Sequence, residues 1–184
     1  MENSSPFIGI NPIDLSERWF LDSMEQEIRK IFGIETKRTN VIDNIDFAYH
    51  EGRDQYYSTE ILKKMEELIP KNCIKVIAIT NKDLFIPILT YVFGEAQLDG
   101  KAAIISLYRL KPEDRSPKNF IIFQERIIKE ALHELGHTFG LTHCRDKKCI
   151  MHYCRSVNDV DKKENTFCFF CDTILKDKLK NLIR

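Results

Sequence analysis

In the stretch His133-Glu134-Leu135-Gly136-His137-Thr138-Phe139-Gly140-Leu141-Thr142-His143, three imidazoles and one carboxylate stand at intervals that suit a single metal ion. At about 3.6 residues per turn, His133 and His137 project from one helical face, so two neutral ring nitrogens can meet one ion at roughly 2.0–2.1 Å. Glu134 then lies beside the ion without having to bind it. A carboxylate there can take a proton from water, whose pKa zinc lowers from about 15.7 to roughly 7, and pass it to a leaving amine. Gly140 lets the chain leave the helix in a conformation most residues avoid, and His143 can swing back as the third ligand. A fourth position stays open, as catalytic zinc requires. The pattern predicts a zinc hydrolase.

The helix that must carry these groups offers an independent check. Ile128, Leu132, Leu135 and Phe139 form an apolar stripe at helical spacing, and His133 and His137 point away from it. Directly after His143 comes a second constellation, Cys144-x4-Cys149, a loop, and Cys168-x2-Cys171. Four thiolates at about 2.3 Å make a closed tetrahedral cage, so these cysteines read as a structural zinc site. The alternative is two disulfides. Against it stand the lack of a secretory leader in Met1–Pro6 and two further thiols, Cys73 and Cys154, which an oxidising compartment would expose to damage. Because Cys144 adjoins His143, a metal in the cage would preorganise the loop that delivers the third histidine.

Met151, two residues after Cys149, stands where metzincins carry the methionine that forms a base beneath their metal. The histidine motif, the adjoining cysteine, Cys-x4-Cys-x-Met and the terminal Cys-x2-Cys together resemble the archaemetzincin family. Phe93-Gly94-Glu95-Ala96 and Arg109-Leu110 also look like family sequence, while the interval from Met151 to Cys168 is one residue shorter than the family pattern. The resemblance implies a zinc metallopeptidase holding two zinc ions, one catalytic and one structural, in a compact metzincin-type domain. His133, His137 and His143 match its catalytic ligands, Glu134 its general base, and Cys144, Cys149, Cys168 and Cys171 its second site. Cys73 and Cys154 match nothing in the signature and read as packed thiols.

The expected reaction is hydrolysis of a peptide bond, with Glu134 moving the proton. Tyr153 or Tyr91 could assist at the oxyanion, and the sequence prefers neither. A rival reading is a catalytically inactive, zinc-stabilised protein-binding module. Glu134 argues against that reading, since a storage site needs no proton carrier beside an open metal position. Hydrolysis of a non-peptide amide would use the same residues.

Composition bounds the partners. Lys plus Arg equals Asp plus Glu at 28 each, so no overall field draws nucleic acid or an anionic membrane. With 184 residues, 43% hydrophobic and 30% charged, the chain suits one soluble domain, read as a cytoplasmic monomer acting on peptide or protein. No apolar run is long enough to span a membrane.

The elements predicted to position the site form an α+β fold with an α/β-like upper part, a metzincin-like mixed twisted sheet with packed helices. Residues 1–140 form the upper part, ending with the zinc helix; residues 141–184 form a small zinc-stapled lower part. Phe7–Ile10 reads as a first strand, followed by a helix from Pro12, Asp14 or Ser16 to Gly33 with Trp19 and Phe20 on its apolar side. Ile34–Ile42 is strand-like, and a helix capped by Ser58 or Thr59 runs to Leu68 before Pro70. Ile74–Thr80 reads as a central buried strand entered by a β-α-β crossover. Tyr91–Leu98 and Ala102–Leu107, joined by Asp99-Gly100, read as a hairpin whose edge faces the substrate. Lys111–Asn119 is a polar connector, Lys162-Lys163 a charged surface, and Lys176–Arg184 the end of an amphipathic closing helix.

Overall fold

The computed structural model describes residues 5–114 and 116–182. Its main sheet has the order β2-β1-β5-β8-β7. The strands are β1 (Phe7–Ile13), β2 (Glu35–Arg38), β5 (Cys73–Thr80), β7 (Gly94–Ala96) and β8 (Ala102–Ser106). All pairings are parallel except β7 with β8. A second small sheet joins β3 (Tyr49–His50), β4 (Gln55–Tyr57) and β6 (Leu84–Phe85). The helices are α1 (Leu21–Phe32), α2 (Ser58–Leu68), α3 (Pro117–Thr138), α4 (Val157–Lys162) and α5 (Phe169–Leu182).

Strand alternation sends side chains to two cores. Ile8, Ile10, Ile77, Ile79, Ala103 and Ile105 face α1 and α3, and Val76, Ala78, Ala102 and Ile104 join Ile61, Leu62 and Met65 of α2 on the other face. With both faces covered, β5 reads as an apolar run broken only by Lys75 and ending in Thr80. The α+β architecture and the central position of β5 therefore follow the sequence expectation.

Several boundaries differ for identifiable reasons. The first strand runs on to Ile13, with Pro12 inside it, in register with Ile79, instead of opening a helix. α1 begins only at Leu21, leaving Trp19 and Phe20 ahead of it, and ends as expected at Gly33 with φ 65°. Ile34–Ile42 contracts to the short edge strand β2. Ser58 and Thr59 are the first residues of α2, not its cap: their hydroxyls donate to the Glu95 carboxylate on β7, Thr59 at 2.8 Å. The hairpin turn is longer than two residues, closing from Gln97 to Ala102, with Asp99 at φ 56°. Pro117 and Asn119 already belong to α3, whose cap Ser116 accepts from the Asn119 N–H. Arg115 of the predicted connector, Ile183 and Arg184 of the closing helix, and Met1–Ser4 of the leader reading lie outside the described residues.

Candidate metal centre and cleft

α3 is 22 residues long and packs its apolar stripe against the sheet, so Ile127, Ile128, Ala131, Leu132 and Leu135 are buried. On its other side His133 and His137 face a cleft of about 700 Å³ bounded by the edge strand β7 above and residues 142–155 below. The chain leaves the helix through Phe139 and Gly140, the latter at φ 85°, where an L side chain would be strained. That exit brings His143 back. The ring centroids of His133, His137 and His143 lie 4.7 to 5.3 Å apart, and the ligand atoms of all three converge within 4.8 Å.

Hydrogen bonds fix the ring orientations. His133 Nδ1 donates to the Ile150 carbonyl at 2.8 Å and His137 Nδ1 to the Leu141 carbonyl at 2.7 Å. With each proton on Nδ1, both Nε2 atoms present bare lone pairs, and these lie 3.1 Å apart. Two lone pairs aimed at one point repel each other unless a cation lies between them. Burial lowers the pKa of His133 well below its ordinary value, with Lys163 adding to the effect, and burial also lowers those of His137 and His143. Neutral imidazoles are the form that binds metal. The donors therefore fit zinc.

Glu134 lies between this centre and β7. A Cβ on Gly94 would come within 2.7 Å of Glu134 Cγ and 2.8 Å of its Oε1, so the missing side chain at Gly94 makes room for the carboxylate. Burial, then the neighbouring Glu130, raises the Glu134 pKa well above the usual range, while Lys163 opposes the rise. Lys163 donates to Glu130 Oε1 at 2.9 Å, with the two side chains 0% and 4% exposed. Lys163 is thus no surface charge but a buried cation lining the cleft, against the sequence expectation. Glu130 stands one helical turn before Glu134, a spacing from which it could have been suspected; nothing in the sequence singles out Lys163 from Lys162.

The cysteines assemble beside the histidines. The sulfurs of Cys144, Cys149, Cys168 and Cys171 converge within 4.8 Å, the Cys168 N–H donates to Cys149 Sγ at 3.3 Å, and all six cysteines are free thiols. Burial and the negative charge of Cys149 push Cys171 strongly upward, so four thiolates need a cation among them. One convergent group of four suits a tetrahedral ion better than two separate bridges. Cys73 is buried under Gly9, as expected of a packed thiol, whereas Cys154 is half-buried and lines the cleft.

The loop between the cysteines serves both centres. Cys144 N–H donates to the Met151 carbonyl and His152 N–H to the Cys149 carbonyl, each at 2.9 Å, so Cys149-Ile150-Met151 makes a tight turn under α3. Ile150 holds His133, and Met151 packs so closely that a Cβ on Gly136 would lie 2.5 Å from its sulfur. Of the two tyrosines, Tyr91 donates its hydroxyl to the Arg155 carbonyl at 3.0 Å. Tyr153 lies with its ring 5.0 Å from that of His143 and tilted 56° to it, its hydroxyl without a hydrogen-bond partner among the described residues.

Comparison with known proteins agrees with this geometry. Residues 48–177 match the model of peptidase family M54. The archaemetzincin of Methanocaldococcus jannaschii is 38% identical over 175 residues, 93% of each chain. The crystal structure of archaemetzincin from Methanopyrus kandleri superposes with a TM-score of 0.83 at 31% identity, covering 98% of each chain. A zinc-dependent peptidase from Methanocorpusculum labreanum gives 0.81 at 25% identity over 91% of this chain and 99% of its own. With histidine and cysteine donors converging beside a cleft, and relatives matching along nearly its whole length, the chain belongs to peptidase family M54, the archaemetzincins, and is a zinc metallopeptidase.

Proposed function

We propose that the chain hydrolyses peptide bonds at a zinc ion held by His133, His137 and His143, with Glu134 as general base. A second zinc in the cage of Cys144, Cys149, Cys168 and Cys171 is structural. The observation that carries this reading is the pair of bare Nε2 atoms, 3.1 Å apart with both Nδ1 protons committed to backbone carbonyls, opening onto the cleft beside Glu134. Zinc bound there supplies Lewis acidity, making water a better acid and a carbonyl a better electrophile.

The protein's own groups do the rest. A Glu134 carboxylate oxygen accepts a proton from the attacking water and delivers it to the leaving amine nitrogen. Ser106 N–H donates to the Phe93 carbonyl and Gln97 N–H to Ala102, so in the antiparallel ladder Phe93 and Gln97 turn towards β8. Gly94 and Ala96 therefore present N–H and C=O groups to the cleft, and an extended substrate pairs with these two residues. Tyr153, whose hydroxyl has no hydrogen-bond partner among the described residues, is the better placed tyrosine to donate to a developing oxyanion. The chain works as one domain, residues 1–140 carrying the helix and upper rim and residues 141–184 the cage and lower rim.

The test is Glu134→Gln assayed against a peptide library with zinc content measured. Loss of hydrolysis with zinc retained is expected; hydrolysis retained, with contaminating peptidase excluded, would show the role is wrong. Two zincs per chain should fall to one in the His133→Ala/His137→Ala variant. If wild type with a filled histidine site cleaves nothing in the library, the binding-module reading takes its place.

A further inference from the structure

Lys75 is the one charged residue of β5, in the middle of the sheet, and it is only 6% exposed. A lysine in such a strand costs stability unless its ammonium finds partners. Its Nζ donates to the Thr138 carbonyl at 2.6 Å and to the Gly100 carbonyl at 2.7 Å, and it lies 4.8 Å above the Phe139 ring. Thr138 is the last residue of α3, and Gly100 belongs to the β7–β8 turn. A cation at that helix end also meets the negative end of the helix dipole. The same turn is tied to the helix again, since Asp99 N–H donates to the His137 carbonyl at 3.0 Å, which also accepts from Gly140 at 2.9 Å. The next residue, Leu141, accepts from His137 Nδ1.

We propose that Lys75 is a positioning residue for the histidine centre: its ammonium clamps the end of α3 to the β7–β8 turn and so fixes the backbone that orients His137 and delivers His143. The inference rests on the metal reading of the three histidines. It gives the sheet a direct hold on metal geometry, independent of the cysteine cage. Around the ammonium, Asp99 supplies opposing charge while Lys101 and Lys178 supply like charge, so the two carbonyls are its main anchors. Lys178 touches the same turn from α5, at 3.2 Å from Asp99, but that pair is exposed. It serves as the control.

The experiment uses full-length protein loaded with cobalt(II), whose visible bands report coordination at the histidine site and whose sulfur-to-metal charge transfer reports the cage. Lys75→Met should shift the histidine-site bands and release that ion to a chelator at roughly tenfold lower competitor concentration, the scale of supporting contacts around metal ligands. The charge-transfer band should not move, and Lys178→Ala should match wild type in both. A Lys75→Met protein that melts earlier yet keeps wild-type bands and affinity overturns the inference, leaving Lys75 a packing residue only. Should Lys75→Met not fold, Lys75→Arg decides: its longer fork must displace the Thr138 carbonyl and shift the same bands, and unchanged bands overturn the inference. A wild-type protein that takes up cobalt in the cage alone refutes the metal reading and this inference with it.

Discussion

Removing the Lys163 ammonium tests the buried pair that borders the cleft. Lys163→Met keeps the apolar stem but leaves Glu130 without its partner at 2.9 Å, inside a site where its side chain is 4% exposed. An unpaired buried carboxylate escapes most cheaply by taking up a proton. At pH 7 that costs about 1.4 kcal/mol for each unit between the ordinary carboxyl value near 4.3 and the solution pH, about 4 kcal/mol in all. The figure agrees with the roughly 3–5 kcal/mol seen when one partner of a buried pair is removed. For a chain of this size, about 2–4 °C per kcal/mol turns it into a fall in melting midpoint of roughly 8–15 °C. The assay is thermal unfolding at pH 7 and fixed zinc for Lys163→Met, Glu130→Met and the double variant. Because the penalty belongs to the unpaired charge, the double variant should recover most of the loss. A Lys163→Met loss below about 1 kcal/mol, or a double variant as unstable as the two single losses added, would refute the reasoning.

Other consequences follow from the same geometry. Gly136→Ala forces a methyl against Met151 sulfur, an overpacking cost of about 1–3 kcal/mol against about 1 kcal/mol gained in helix propensity. Melting should show a net loss that shrinks in a Met151→Ala background, and equal losses in both backgrounds would dismiss the contact. Cys149→Ser/Cys171→Ser should lose the cage metal and also weaken the histidine site roughly tenfold in chelator competition, because Ile150 carries the His133 acceptor; an unchanged histidine site would disprove the coupling. Burial lowers the folded pKa of His133, His137 and His143, so below about pH 6.5 the unfolded chain binds more protons than the folded one. Metal-free protein should therefore lose stability as pH falls from about 6.5 towards the lower folded values. A His133→Asn/His137→Asn variant should lose less over that interval, and a parallel pH profile would count against the assignment.

What the sequence revealed was what depends on spacing along one element. His133 and His137 share a face because a helix repeats every 3.6 residues, and Ile74–Thr80 reads as buried because both its faces are apolar. Boundaries were less legible where a residue had two possible uses. Pro12 could open a helix or lie within a strand, and pairing with Ile79 of β5 decided it. Ser58 and Thr59 carry capping hydroxyls, but Glu95, distant in sequence, takes them. Lys163 looked like half of a charged surface, since its partner Glu130 lies 33 residues away.

The supporting groups of the site share this long-range character, and that is why composition and periodicity pass over them. Gly94 matters only because Glu134 arrives from another element, and Gly136 only because Met151 does. Lys75 is intelligible only when the end of α3 and the hairpin turn close over it. The proposed ligands announce themselves because zinc coordination demands residue types at set intervals. The groups that hold the ligands still answer to distances between elements, and a substitution among them should alter metal affinity and geometry while leaving the motif intact. On the proposed reading, catalytic competence rests on contacts across β5, β7, α3 and the cysteine loop as much as on the histidines.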